Sequence, residues 1–381
     1  MPVSVLAVIC EYNPLHNGHA KQLAVLRGQG AAVCLMSGDY VQRGEPAILD
    51  AGTRARAAMR CGANLVLELP LTYTLRSAEG FGDGAVSILN ALGCVDTLCF
   101  GSEQGSKEDI MSTAKQLRTE EFSLRLREEL KSGVSFPVAR ARAISEQDAQ
   151  SAQLLRFPNA TLGVEYCKAL LKYESAITPL VLRRDGDYHS ATQKDTPSAT
   201  VLRGLPDWTG YVPEQLLPLY AAAPRYTLAA GERALLSRLR FMTQSEFEAL
   251  PFGTEGLWRK LMAACRTCET VEAIVNAAKS KRYTRTRLMR MLLCAYLGIT
   301  DALLNAGAPY VRVLAADEVG QGILRRAKKQ GTVVLINRGQ RAPDTAYSAL
   351  ERRAADLYSL FITAKAPPVG RSRTERIVLT K

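Results

Sequence analysis

The sequence predicts an α/β fold: a Rossmann-like parallel sheet covered by helices, followed by a mainly helical C-terminal region. Three observations predict it. Over residues 1–110, apolar runs of strand length alternate with amphipathic stretches, the pattern of a parallel sheet with helices on both faces. Glycines follow the helical stretches at Gly62 and Gly93, as C-cap glycines do. Polar, glycine-bearing turns follow the apolar runs, and in such sheets ligands sit beyond the carboxyl ends of the strands.

Taken in order, residues 3–9 form a first strand and residues 20–27 a helix. Residues 31–36 form a second strand, 53–61 a helix, 65–69 a short strand stopped by Pro70, 78–92 a helix and 95–100 another strand. Residues 107–175 are mainly helical, and Arg125, Arg127 and Lys131 alternate there with Glu128 and Glu129 as a solvated face. A helix begins near Phe157 and runs to about Lys172, with Asn159 in its first turn, where it could be no more than a cap. Residues 176–182 return as a strand. From residue 206 the character changes: Pro206, Pro213 and Pro218 mark a linker, and residues 231–304 read as helical. A short strand at 333–336 and a closing helix at 345–362 follow. The tail from 366 carries Pro and Arg and is expected to be partly disordered. Two units result, 1–205 and 206–381.

The turn between the first strand and helix holds two of the three histidines, His16 and His19, with Gly18 between them and Asn13-Pro14 before. The helix N-terminus behind the turn offers unpaired N–H groups and a positive dipole end, Gly18 lets the backbone approach a phosphate, and both imidazoles can donate to one triphosphate. The spacing also resembles a metal pair, but no Cys or carboxylate lies at an interval that completes a site, so no protein metal ligands are predicted. At the next strand end, Gly38, Asp39, Gln42, Arg43 and Glu45 could orient a small substrate or ribose. Gly101-Ser102-Glu103 ends the fourth strand. After 176–182 come Arg183 and Arg184 and the third histidine, His189, and then Ser198, Thr200 and Arg203, whose hydroxyls, amides and guanidinium suit phosphate oxygens.

Net charge is +12, which favours a polyanionic partner. Lys279, Lys281, Arg282, Tyr283, Arg285 and Arg287 form a basic cluster with an interleaved aromatic, and no acid lies between Ala273 and Thr300; that composition suits an RNA backbone with an exposed base. Arg325, Arg326, Lys328 and Lys329 make a second group. No apolar run approaches the roughly 18 residues of a membrane helix, and no signal peptide precedes the first strand. Nine scattered cysteines read as buried thiols of a reducing cytoplasm; the Cys265-x-x-Cys268 pair has no second pair to make a zinc site.

Residues 11–19 (EYNPLHNGH), 36–47 (MSGDYVQRGEPA), 67–70 (LELP) and 100–103 (FGSE), with Pro158-Asn159, Tyr188-His189 and residues 281–284 (KRYT), resemble the bacterial tRNA(Met) cytidine acetate ligase family, within the nucleotidyltransferase superfamily. Asp39 stands where that family usually has Asn. Ala51-Gly52-Thr53-Arg54 stands where a lysine–tryptophan pair is usual. Neither departure is expected to touch the phosphate site. The resemblance implies that acetate attacks the α-phosphate of ATP, and that the N4 amine of the wobble cytidine of elongator tRNA(Met) takes the acetyl group from the adenylate. It implies His16 and His19 as catalytic residues. It implies ATP binding by Ile9, Cys10, Glu11, Tyr12, Asn13, Pro14, Leu15, His16, Asn17, Gly18, His19 and Ala20, with Gly101, Asn159, Arg183 and Arg184. Asp39, Gln42, Arg43, His189, Ser198, Thr200 and Arg203 remain candidates for substrate or phosphate, and the basic cluster for tRNA. Mg²⁺ is expected with ATP, its ligands unnamed, and no protein partner is implied. Two readings stay open beside this one: adenylylation of a small phosphorylated metabolite, or nucleotide-dependent RNA binding without catalysis.

Overall fold

The computed structural model describes residues 3–145, 148–183, 198–371 and 375–380. Ten strands occur among them: β1 Val5–Cys10, β2 Ala31–Ser37, β3 Tyr40–Val41, β4 Glu45–Pro46, β5 Leu65–Leu69, β6 Thr97–Ser102, β7 Thr178–Arg183, β8 Val311–Ala316, β9 Leu335–Asn337 and β10 Val378–Leu379. Eight build one sheet in the order β10-β8-β5-β2-β1-β6-β7, with β9 paired to β8, while β3 and β4 form a small antiparallel hairpin. The fold class is the α/β class that the alternation predicts.

The central strands are buried on both faces, which is why they read as unbroken apolar runs. Val5, Ala7, Val33, Leu35, Leu65 and Leu67 pack on one face with the Ala78–Ala91 and Pro158–Lys172 helices. Leu6, Val8, Cys34, Met36 and Val66 pack on the other with the Ala51–Arg60 helix. The chain leaves β1 to one side to make β2 and β5, and later to the other side to make β6 and β7. The order therefore reverses at β1, and the carboxyl ends of β1 and β6 bound a crevice of the kind that takes ligands.

The expected strands and helices of residues 1–183 form with ends shifted by a few residues; the first helix starts at Asn17 and the second at Ala51. Two differences are larger. First, the sheet crosses the expected division at residue 205. β8 pairs antiparallel with β5, and β9 and β10 pair with β8, so the C-terminal region closes the sheet as well as supplying helices. Second, part of the tail is ordered, because β10 hydrogen-bonds to the β8 edge. The Leu228–Phe241, Leu257–Thr267, Val271–Ala278 and Arg285–Leu297 helices pack around a core of their own, with Leu239, Leu261, Ile274, Leu288 and Leu292 at its centre.

Candidate functional site

The turn after β1 is held from several sides. Tyr12 adopts φ 47°, and the Asn13–Pro14 bond is cis. A left-handed non-glycine residue costs about 1–3 kcal/mol and persists only where surroundings fix it. Here Tyr12 is buried, its hydroxyl lies 3.6 Å from Cys34 Sγ, and Asn13 Oδ1 accepts from the Ile48 amide at 2.8 Å. Arg203 donates to the Asn13 carbonyl at 3.0 Å, and Tyr220 to that of Leu15 at 3.2 Å. Leu15 itself is core.

His16 caps the Asn17–Arg27 helix. Its Nδ1 accepts from the Gly18 amide at 3.0 Å, and His19 Nδ1 accepts from the His16 amide at 3.4 Å. With Nδ1 of each ring turned to a backbone amide, Nε2 is the ring nitrogen left to donate. The rings stack with centroids 3.9 Å apart, and Tyr12 lies 5.1 Å from His19. Gly18 leaves room for the His16 ring: a Cβ there would meet His16 Cε1 at 3.0 Å. Asn17 turns away from the crevice, its amide bonding Tyr211 O at 2.9 Å and its side chain Gly210 O at 3.0 Å.

Across the crevice, Gly101 lies in β6, and Arg183 ends β7 exposed. Asn159 is not the cap of its helix; Phe157 holds that position without a side-chain bond. Asn159 instead donates through its amide side chain to Glu103 Oε1 at 2.6 Å, and Glu103 Oε2 accepts from the Ala160 amide at 3.1 Å. A carboxylate thus sits on the helix N-terminus, where the dipole favours it, and fixes Asn159. Glu103 was visible in sequence as a strand-end acid, but its partner was not.

The β3–β4 hairpin is joined to this site through backbone and side chain. Glu11 Oε1 accepts from the Gln42 amide at 2.7 Å. Burial pushes the Glu11 carboxyl up, opposed by that bond and by Arg54, Arg203 and Arg43. Gln42 therefore contributes its main chain, and Arg43 is exposed. Asp39 Oδ1 accepts from the Ala51 amide at 2.8 Å, and its Oδ2 lies 3.6 Å from Arg371. Arg371 also meets Asp50 at 3.5 Å and Glu375 at 2.5 Å. Burial works against its charge, yet Asp39, Glu375 and Asp50 hold its pKa above the ordinary guanidinium value.

One expectation is corrected here. The helix at Ala51 does touch the site. Arg54, fully buried, donates from Nε to Leu49 O at 2.9 Å, from Nη1 to Glu11 O at 2.5 Å and to Ser37 O at 3.1 Å, and from Nη2 to Gly38 O. One guanidinium thereby ties the ends of β1 and β2 together. An arginine among buried alanines gives no sequence signal of this, because its acceptors come from three separate segments.

Of the remaining candidates, Arg184 and His189 lie outside the described residues. Ser198 and Thr200 are exposed at a five-residue helix, and Arg203 braces the β1 turn while also meeting Thr200 Oγ1 at 3.3 Å. In the basic cluster, neutralising acids arrive from neighbouring elements. Arg282 pairs with Glu255, Arg285 with Glu272 at 2.7 Å, and Arg287 donates to Phe252 O at 2.7 Å and to Thr254 at 3.1 Å. Tyr283 donates to Glu255 O at 3.3 Å. Lys279 and Lys281 are exposed, and no side-chain bond is made by either among the described residues.

Among the described residues no three His, Cys, Asp or Glu side chains group as a metal site, and no helix is long and apolar enough to cross a membrane. All nine cysteines are free, six of them buried.

The model of the HIGH Nucleotidyl Transferase family matches residues 3–372. The chain is 35% identical to the tRNA(Met) cytidine acetate ligase of Clostridium novyi, over 87% of this chain and 89% of that one. It is 34% identical to that of Clostridium acetobutylicum, over 94% and 96%. Its fold is similar to Thermotoga maritima TmcAL bound with alpha-thio ATP, with TM-score 0.89, 28% identity and coverage of 99% of this chain and 100% of that one. The apo form of that protein gives TM-score 0.90.

Proposed function

The chain belongs to the HIGH nucleotidyl transferase family, and from its likeness to tRNA(Met) cytidine acetate ligases over most of its length we propose that it is such a ligase, dependent on ATP. In this reading, acetate attacks the α-phosphate of ATP, forming acetyl-adenylate and releasing pyrophosphate. The N4 amine of the wobble cytidine in elongator tRNA(Met) then attacks the acyl carbon, AMP leaves, and the amine loses a proton.

The observation that carries the reading is the stacked pair His16 and His19 at a helix N-terminus beside the β1/β6 crevice. Two stacked rings with Nε2 left to donate supply preorganised donors for charge developing on the triphosphate, usually a large part of catalysis in phosphoryl chemistry. Glycine at 101 lets adenosine lie near the strand. Asn159, held by Glu103, and Arg183 complete nucleotide binding in this reading. Ile9 to Ala20 divide their work: His16 and His19 face phosphate beside Gly18, while Tyr12, Asn13, Leu15 and Asn17 hold the turn in shape; the first four helix amides are already bonded, Asn17 to Tyr211 O, Gly18 to His16 Nδ1, and His19 and Ala20 to His16 O.

Mg²⁺ would come with ATP. The carboxylates near the turn already accept backbone amides, at Gln42 for Glu11 and at Ala51 for Asp39, and a Mg²⁺ that keeps its waters needs few protein ligands beside phosphate oxygens. The basic helical region is the proposed tRNA surface, and Lys279 and Lys281 are its most available cations. The reaction places the protein in the cytoplasm, where tRNA and a reducing pool of free thiols coexist.

Incubation with ATP, labelled acetate and unmodified elongator tRNA(Met), followed by digestion, tests the reading. Label in N4-acetylcytidine is expected. His19→Ala is expected to abolish acetate-dependent pyrophosphate release while tRNA binding persists, and EDTA is expected to stop release in the wild type. Release without label in RNA would point to another acceptor. ATP binding with neither signal would overturn the ligase reading.

A further inference from the structure

A second cavity, of about 680 Å³, opens beyond the ends of β2 and β5. Gly38, Asp39, Glu68, Arg312 and Arg338 line it with Tyr347, and the Ala346–Tyr358 helix closes one side. Its walls carry charges of both signs, and nearly all of them are satisfied within the protein. Glu351 accepts from Arg312 at 2.9 and 3.1 Å and from the Tyr310 hydroxyl. Arg338 donates to Glu375. Asp39 accepts from the Ala51 amide.

Two groups differ: Arg338 Nη1 is buried with no hydrogen-bond partner among the described residues, and Glu68 stands apart further. It makes no hydrogen bond or ion pair among the described residues, although it lies in the sheet between buried leucines. The carboxyl lies close against the Gly38 backbone, where a Cβ would meet Glu68 Oε1 at 2.1 Å. Burial, with Glu351 and Asp39 nearby, pushes Glu68 up to about 7, against the opposing charges of Arg338 and Arg312. Glu68 is half-buried on the cavity wall, and a carboxylate there with no protein partner offers free acceptor oxygens to a ligand.

The cavity is next to the proposed catalytic crevice without being part of it. Cys10, Met36 and Glu68 stand in one row across β1, β2 and β5, which puts Glu68 about 10 Å from the end of β1 at the usual strand spacing. The residues between are the root of the β3–β4 hairpin, whose Gln42 amide binds Glu11. Arg341 and Arg352 stand at the cavity rim.

Resting on the ligase reading, we infer that this cavity takes one unstacked nucleobase of the tRNA, a neighbour of the acetylated cytidine, with Glu68 accepting a hydrogen bond from its exocyclic amine. Carboxylates read such amines by accepting from them, and single-stranded RNA is recognised by splaying bases into pockets of this kind. Tyr347 supplies an aromatic wall, and the rim guanidiniums meet phosphate. Uracil has no exocyclic amine to make that bond.

The test compares acetyl transfer with acetate-dependent pyrophosphate exchange, which does not involve RNA. Each nucleotide flanking the reacting cytidine is replaced singly by uridine. For the wild type, one replacement is expected to raise KM for tRNA about tenfold. Glu68→Met is expected to raise KM for unaltered tRNA about tenfold relative to exchange and to abolish the penalty of that uridine. Glu68→Gln, which keeps a carbonyl acceptor, is expected to restore part of the affinity. Ala355→Trp, which fills the cavity without removing a charged group, is expected to act like Glu68→Met, with thermal melting to confirm folding. Unchanged KM in both Glu68→Met and Ala355→Trp, with the uridine penalties intact, would overturn the inference and leave the ligase reading standing. No acetyl transfer by the wild type would overturn the ligase reading itself.

Discussion

Replacing Arg54 with Met tests whether one buried guanidinium assembles the strand ends. The side chain is fully buried and serves four carbonyls, those of Glu11, Ser37, Gly38 and Leu49. Hydrogen bonds to a charged group contribute about 1.5–3 kcal/mol each, so four sum to several times the net effect that can be observed. Methionine also removes the cost of burying the charge, and disrupting a buried charged network costs about 3–5 kcal/mol. That is a large share of a typical domain stability of 5–15 kcal/mol. Arg54→Lys should lose roughly half as much, because an ammonium has three donors and no planar fork. Urea unfolding gives the stability. ATP titration gives the second readout, since the Glu11 carbonyl belongs to the turn that carries His16 and His19; a weakening of at least tenfold is expected, about 1.4 kcal/mol. A Met variant within about 1 kcal/mol of the wild type and with unchanged ATP affinity would refute the assignment.

Glu68 makes stability depend on pH. Its folded pKa, about 7, lies above its ordinary value, so the folded state holds the proton more tightly. The stabilisation this gives is complete below the ordinary carboxylate range and is lost as pH rises through 7. The full difference is on the order of 3 kcal/mol. Urea midpoints measured between pH 5 and 8 should fall in the wild type and flatten in Glu68→Gln; equal slopes would place the titration elsewhere. For RNA binding, Lys279→Ala with Lys281→Ala should weaken affinity and reduce the salt slope by about 2. Arg285→Ala, whose partner is Glu272, should change it less, and the reverse ranking would put the RNA on the arginine side of that surface.

The outline of the fold could be read because its main signals are local. An apolar run of five or six residues followed by a polar turn and an amphipathic stretch names a strand, a loop and a helix without knowledge of the rest. The His16 turn was legible for the same reason. What escaped was set by residues distant in sequence. β8 is a short run with an arginine inside it, and only pairing with β5 makes it a strand. The basic cluster looked unopposed because Glu255 and Glu272 are brought to it by packing. Asn159 read as a cap, yet its partner is an acid at the end of β6. Arg54 and Arg371 resemble surface arginines in sequence, and only their acceptors reveal them as the ties that shape the hairpin.

The pairing of β8 between β5 and β10 has a consequence for synthesis. The strands that bound the β1/β6 crevice leave the ribosome early, but the edge that covers β5 and the Arg371–Glu375 clamp on the hairpin emerge last. Until then β5 presents a bare, apolar edge, open to pairing with another chain. Closing it requires joining the two ends of the chain, a slow, non-local step. The nascent protein can therefore shape its histidine turn long before it can finish the wall beside it.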